Sequence, residues 1–87
     1  MAWKIEVSRE AQKAIGKLGA VPARRIAAGL RQIAELENPR DRGKALTGNQ
    51  SGHWRYRIGD YRVICQIEDG RLVIVVIALG HRREIYR

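Results

Sequence analysis

The stretch Trp54-Arg55-Tyr56-Arg57-Ile58-Gly59-Asp60-Tyr61-Arg62-Val63-Ile64 decides the fold. Trp54 to Ile58 and Tyr61 to Ile67 each alternate apolar and polar residues with a period of two, the pattern of half-buried strands. Gly59-Asp60 between them is a two-residue tight turn, so the strands form an antiparallel hairpin. Such a turn fixes the register, with Ile58 opposite Tyr61, Arg57 opposite Arg62, Tyr56 opposite Val63 and Arg55 opposite Ile64. One face then carries Arg55, Arg57 and Arg62. The other carries Trp54, Tyr56, Val63, Cys65 and Ile67, which read as core.

Downstream, Asp69-Gly70 is a second two-residue turn signal, and Leu72 to Leu79 is apolar throughout, as a central strand covered on both faces is. Upstream, Met1 to Val7 alternates (Trp3, Ile5 and Val7 against Lys4 and Glu6) and is a first strand. Ser8 caps a helix whose apolar positions are Ala11, Ala14, Ile15 and Leu18, with Gly19 ending it. Pro22 suits the first turn of a second helix, in which Ile26, Leu30, Ile33 and Ala34 form one stripe and Arg24, Arg25 and Arg31 lie on or near the wet face. Asn38-Pro39 stops that helix. Residues 39–52 shift to Gly, Asn, Arg, Lys, Thr and Ser and read as a long loop anchored by Leu46. The expected architecture is α+β: an N-terminal strand, a helical hairpin, then a three-stranded antiparallel meander, with the helices packed on one face of the sheet. The first strand either pairs with the last or lies at an edge.

The chain has 87 residues, enough for one domain spanning 1–87 and one modest core. Apolar residues make up 45%, which excludes a disordered polyelectrolyte. Against 9 Asp and Glu stand 17 Lys and Arg, a net charge of +8, which calls for an anionic partner. Nucleic acid is the first candidate, followed by an acidic protein or a membrane surface. The longest apolar run is far too short to cross a bilayer, and Lys4, Glu6, Arg9 and Glu10 interrupt any signal-peptide segment, so a cytoplasmic protein is expected. Cys65 has no second cysteine to pair with and sits in an alternating strand as a small buried side chain. Two histidines, one cysteine and no paired carboxylates give no metal-ligand spacing, and no cofactor is expected.

The hairpin holds a physical conflict. Like charges directly opposed across a ladder are destabilising by a few tenths to about 1 kcal/mol. No alternating acid flanks Arg57 and Arg62 to offset them. A solvated, solubilising face is one reading. The other is that an external anion completes the site, and it is favoured by the use of arginine each time, with no lysine after Lys44, because the guanidinium fork suits phosphate. The ending Gly80-His81-Arg82-Arg83-Glu84-Ile85-Tyr86-Arg87 adds an imidazole, three guanidiniums and a phenol, groups that transfer protons, hold phosphate and stack on bases.

The order of elements, the loop anchored by Lys44-Ala45-Leu46, the hairpin Trp54 to Ile64 and the ending Gly80 to Tyr86 together resemble the RelE toxins of the RelE/ParE toxin-antitoxin superfamily, over nearly the whole chain. The resemblance implies a small basic endoribonuclease, an mRNA interferase, that enters the ribosomal A site and cuts the mRNA codon there. It also implies an acidic RelB-type antitoxin that wraps the toxin. Arg55 and Arg57 match a pair of family lysines two apart, Arg62 matches the third-strand arginine, Arg82 the arginine two after the glycine, and Tyr86 the tyrosine that stacks on the mRNA base. Two departures stand out. Arginine, with a pKa above about 12, clamps phosphate but is a poor base. The sequence ends one residue past Tyr86, without the C-terminal helix of some members.

The implied reaction is metal-independent attack of a ribose 2′-OH on the adjacent phosphorus with loss of the 5′-oxygen. The candidate catalytic set is Arg55, Arg57, Arg62, His81, Arg82 and Tyr86. Lys44, Arg55, Arg57, Arg62, Arg83 and Arg87 are the candidate RNA contacts. His81 has an unperturbed pKa of about 6.5 and is either the proton-transfer residue or an ordinary surface histidine, with His53 a second choice. Two other classes stay open: a ParE-like toxin that inhibits gyrase without nuclease chemistry, and an RNA-binding module without turnover.

Overall fold

The computed structural model describes residues 3–46 and 52–81. Strand β1 (Lys4–Val7) leads into α1 (Arg9–Gly16), α2 (Ala20–Ala34), a 3-10 turn at Pro39–Asp41, and strands β2 (Lys44–Ala45), β3 (Trp54–Ile58), β4 (Tyr61–Glu68) and β5 (Val73–His81). They form one five-stranded sheet in the order β1-β5-β4-β3-β2. The last three strands are the expected antiparallel meander, and β1 pairs parallel with β5. That pairing settles the place of the first strand: it is an edge strand and also the neighbour of the last one.

Local chemistry accounts for the helices. The Ser8 hydroxyl accepts from the Ala11 amide, an N-cap that satisfies one orphan donor of α1. The helix closes at Gly16, and Gly19, expected to end it, instead opens α2 with φ of +92°, a conformation in which glycine carries no Cβ penalty. The stripe Ile26, Leu30, Ile33 and Ala34 is buried as its spacing requires. These side chains and Ala11 meet Tyr56, Val63, Cys65, Ile74 and Val76 from the sheet in a single core on one face.

Three features differ from the sequence reading. The long loop contains β2, which pairs Lys44 with Arg55 and Ala45 with Trp54, so the sheet gains a short fifth strand. The β4–β5 connection is not a two-residue turn at Asp69-Gly70. Glu68 pairs with Val73, the Arg71 and Leu72 amides donate back to the Glu68 and Asp69 carbonyls, and Leu72 sits at φ 54° outside the strand. Ion pairs hold this connection from both sides: Asp69 with Arg40, and Arg71 with Glu68 and Glu6. Finally, β5 is central but not covered throughout, since Ala78 is exposed beside the bulge at Ile64/Cys65.

Candidate nucleic-acid interface

The hairpin register is the one the turn dictates. Arg57 is the Cα partner of Arg62, and Arg55 of Ile64. Continued across the sheet, one row runs Lys44, Arg55, Ile64 and Ala78, and the next runs Arg57, Arg62 and Gly80. Paired residues share a face, so Lys44, Arg55, Arg57 and Arg62 all lie on the side away from the helices. Gly80 opposite Arg62 brings no side chain to crowd that row. Burial is graded along the set: Arg57 is exposed, Arg55 half-buried, and Arg62 only 4% exposed.

These arginines line an open groove of about 760 Å³ together with Lys44, Arg42, and Arg25 of α2. No Asp or Glu lies among its described lining residues. Three acids, Asp69, Glu68 and Glu6, are engaged at the far end of β4. Arg40 forms a bidentate pair with Asp69 at 2.8 and 2.9 Å, and Arg71 reaches Glu68 at 2.6 Å and Glu6 at 3.1 Å. The Arg40 guanidinium holds the Asp69 carboxyl below its ordinary range through that hydrogen bond. Among the described residues, Arg57 has no carboxylate partner. A concave surface lined by one sign of charge concentrates counter-charged ligands and steers them in.

The wall of the groove is fixed from the core side. Tyr56, buried on the opposite face of β3, donates its hydroxyl to the Pro39 carbonyl at 2.7 Å, and burial raises its pKa. Trp54 Nε1 donates to the Arg42 carbonyl at 2.6 Å, and Trp3 Nε1 to that of Glu37 at 3.3 Å. The connection bearing Arg42 and Lys44 is therefore tied down at three carbonyls.

Of the residues singled out from sequence, Lys44, Arg55, Arg57 and Arg62 come together. His81 closes β5 opposite Tyr61, one residue beyond the Gly80 paired with Arg62; its side chain lies outside the described residues, as do Arg82, Arg83, Tyr86 and Arg87. His53 lines a different, smaller cavity with Arg40 and Trp54. The sequence reading missed Arg42 as a groove residue and placed Arg25 only on the wet face. The available signal was the spacing Arg25, Gly29, Gln32, which puts all three on one helix face. Cys65 is buried, and its thiol is pushed up to about 12 by that burial, so it is inert as a nucleophile. The described residues hold no cluster of His, Cys, Asp and Glu that could bind a metal, and no described helix is long and apolar enough to cross a membrane.

The α+β fold is shared with small toxins of toxin-antitoxin systems. A double arginine-to-alanine mutant of E. coli toxin RelE in the free state superposes with a TM-score of 0.77 at 26% identity, covering 99% of this chain and 92% of that one. RelE of the archaeal RelE-RelB complex from Pyrococcus horikoshii gives 0.72 at 26% identity, over 94% and 97%. The RelBE2 toxin-antitoxin complex of Mycobacterium tuberculosis gives 0.70 at 25% identity, over 94% and 100%. In sequence, a RelE toxin of M. tuberculosis is 38% identical over 52 residues, which are 60% of this chain and 54% of that protein. Residues 5–86 match the family of ParE toxins of type II toxin-antitoxin systems. The chain belongs to that family, within the RelE/ParE superfamily, and is similar in sequence and fold to toxins of RelE type.

Proposed function

We propose that this toxin is a ribosome-dependent mRNA endoribonuclease that cuts A-site codons without a metal. The observation that carries the reading is the groove, with no Asp or Glu among its described lining residues, in which Arg57 and Arg62 stand directly opposed with Arg55 beside them. An RNA phosphate bound there meets guanidiniums from both strands of the hairpin. In the reaction a bond forms between the 2′-oxygen and phosphorus while the bond to the 5′-oxygen breaks. The 2′-OH proton passes to a base, and the departing 5′-oxygen takes a proton, leaving a 2′,3′-cyclic phosphate and a 5′-hydroxyl. Arg55, Arg57 and Arg62 hold the scissile phosphate and neutralise the charge that develops on it. Arginine does not serve as the base. His81 is the proton-transfer residue, Arg82 the stabiliser of the leaving group, and Tyr86 the stacking platform for the codon base. Lys44, Arg83 and Arg87 contact flanking RNA.

The protein works in the cytoplasm with two partners, the ribosome carrying mRNA in its A site and an acidic RelB-type antitoxin. The antitoxin is supported by relatives solved as RelE-RelB complexes. A second reading rests on the match to ParE toxins: a gyrase inhibitor with no nuclease chemistry. Primer extension on translating ribosomes, run beside a gyrase supercoiling assay, separates the two. Cuts within A-site codons with supercoiling unaffected are expected; inhibited supercoiling with intact mRNA sinks the nuclease reading.

A further inference from the structure

We propose that Arg25 of α2 and Arg42 before β2 form a second phosphate seat on the helix side of the groove. The RNA backbone then crosses the bare edge of β3 and does not touch the sheet at the scissile phosphate alone. The inference rests on the nuclease reading and extends it to a substrate-positioning subsite.

Four observations converge. First, β2 ends its pairing at Lys44 opposite Arg55, so β3 from Tyr56 to Ile58 has no strand on its outer edge among the described residues. The His53 carbonyl accepts from the Leu46 amide across that edge. Backbone groups alternate in direction along a strand, so the N–H and C=O of Arg57 also face outward, where an N–H is a ready phosphate donor. Second, α2 is pressed against the tip of β3. A Cβ added at Gly29 would lie 2.9 Å from the Ile58 side chain, and Arg25 sits one turn before Gly29 on the same face. Helix and strand are thereby held at a fixed separation, with Arg25 and Arg57 on the two sides of one groove.

Third, Arg42 is an anchored cation despite its exposure. Its carbonyl takes the Trp54 indole N–H at 2.6 Å, and the next residue, Gly43, runs at φ +79° under Trp54 and the Arg55 carbonyl. Fourth, no Asp or Glu is among the described residues that line this groove. Helix α2 contains no Asp or Glu, and neither Arg25 nor Arg42 forms an ion pair among the described residues. Two arginines on one wall and three on the other match consecutive phosphates of a single strand, the geometry of an electrostatic channel for unpaired RNA. An acidic peptide would meet the same charge, and the test separates them.

Uncleavable 2′-O-methyl RNA oligonucleotides, from two to five nucleotides long, are titrated into the wild-type protein and into the Arg25→Ala/Arg42→Ala and Arg55→Ala/Arg57→Ala variants at several salt concentrations. Circular dichroism checks the fold of each. In the wild type, affinity is expected to climb as the oligonucleotide gains its second phosphate. The Arg25→Ala/Arg42→Ala protein is expected to lose that gain, with its slope of log K against log salt shallower by about 0.7, the amount for one single-strand phosphate contact. The seat is overturned, with the nuclease reading intact, if this variant binds every length as the wild type does while Arg55→Ala/Arg57→Ala binds poorly. It is equally overturned if the variant loses affinity for an acidic peptide but not for RNA. If both variants bind RNA as the wild type does, the seat and the nuclease reading fail together.

Discussion

Arg57 and Arg62 are Cα partners across the β3–β4 hairpin, one exposed and the other only 4% exposed, on a face where the row ends in Gly80. Like charges repel across a ladder, and an anion lying between these two guanidiniums turns the pairing into an asset.

Arg57→Ala therefore separates stability from activity. Because Arg57 is exposed and has no carboxylate partner among the described residues, its removal relieves repulsion and breaks no ion pair there. The expected result, read from urea denaturation, is an unfolding free energy unchanged or raised by up to about 1 kcal/mol. Cleavage of ribosome-bound mRNA is expected to fall about 100-fold or more, the scale of losing one charge-stabilising donor. A variant that is both less stable and fully active would show that Arg57 is structural.

Gly43→Ala tests how firmly the groove rim is held. The position has φ of +79°, and an added Cβ would collide with the Arg55 carbonyl and lie 2.6 Å from Trp54 Nε1. The backbone conformation alone costs a non-glycine residue about 1–3 kcal/mol. Thermal melting is expected to drop accordingly, with loss of the Trp54–Arg42 hydrogen bond seen as a shift of the indole N–H resonance. A melt and an indole shift equal to those of the wild type would mean that the rim is not tied down there.

Alkaline pH should loosen the protein through Cys65. Burial pushes the thiol up to about 12 in the folded chain, whereas an unfolded thiol ionises near its ordinary value of about 8.5. The folded pKa is the higher one, so this contribution is complete below about pH 8.5 and is lost as pH rises toward 12. Tyr56, raised by burial in the same direction, adds to the loss above its ordinary value of about 10. Urea midpoints are expected to fall between pH 8.5 and 10.5, with a shallower fall in Cys65→Ala. Iodoacetamide should label Cys65 only as the protein unfolds. Rapid labelling of the native protein at pH 7.5 would contradict the burial.

The β3–β4 hairpin was legible because a two-residue turn and a period of two together leave one register. The α2 stripe was legible because Ile26, Leu30, Ile33 and Ala34 keep helical spacing. Strand β2 was not, since two residues carry no period and owe their conformation to Arg55 and Trp54 alongside. The β4–β5 connection escaped for a similar reason: Asp-Gly is a strong local signal, but the ion pairs with Arg40, Glu68 and Glu6 act across the fold. Within the groove, Arg55, Arg57 and Arg62 followed from the hairpin pairing. The place of Arg25 and Arg42 depends on how closely α2 approaches Ile58, and no local pattern encodes that distance.

The most direct measurement follows the arginine Nε–Hε resonances of 15N-labelled protein while an uncleavable 2′-O-methyl trinucleotide is added. Arg40 and Arg71, already held by carboxylates, serve as internal controls. The expected result is that the signals of Arg55, Arg57 and Arg62 shift together and saturably while those of Arg40 and Arg71 stay in place. Shifts confined to the control pair, or none at the three groove arginines, would contradict an RNA phosphate as the anion bound in this groove.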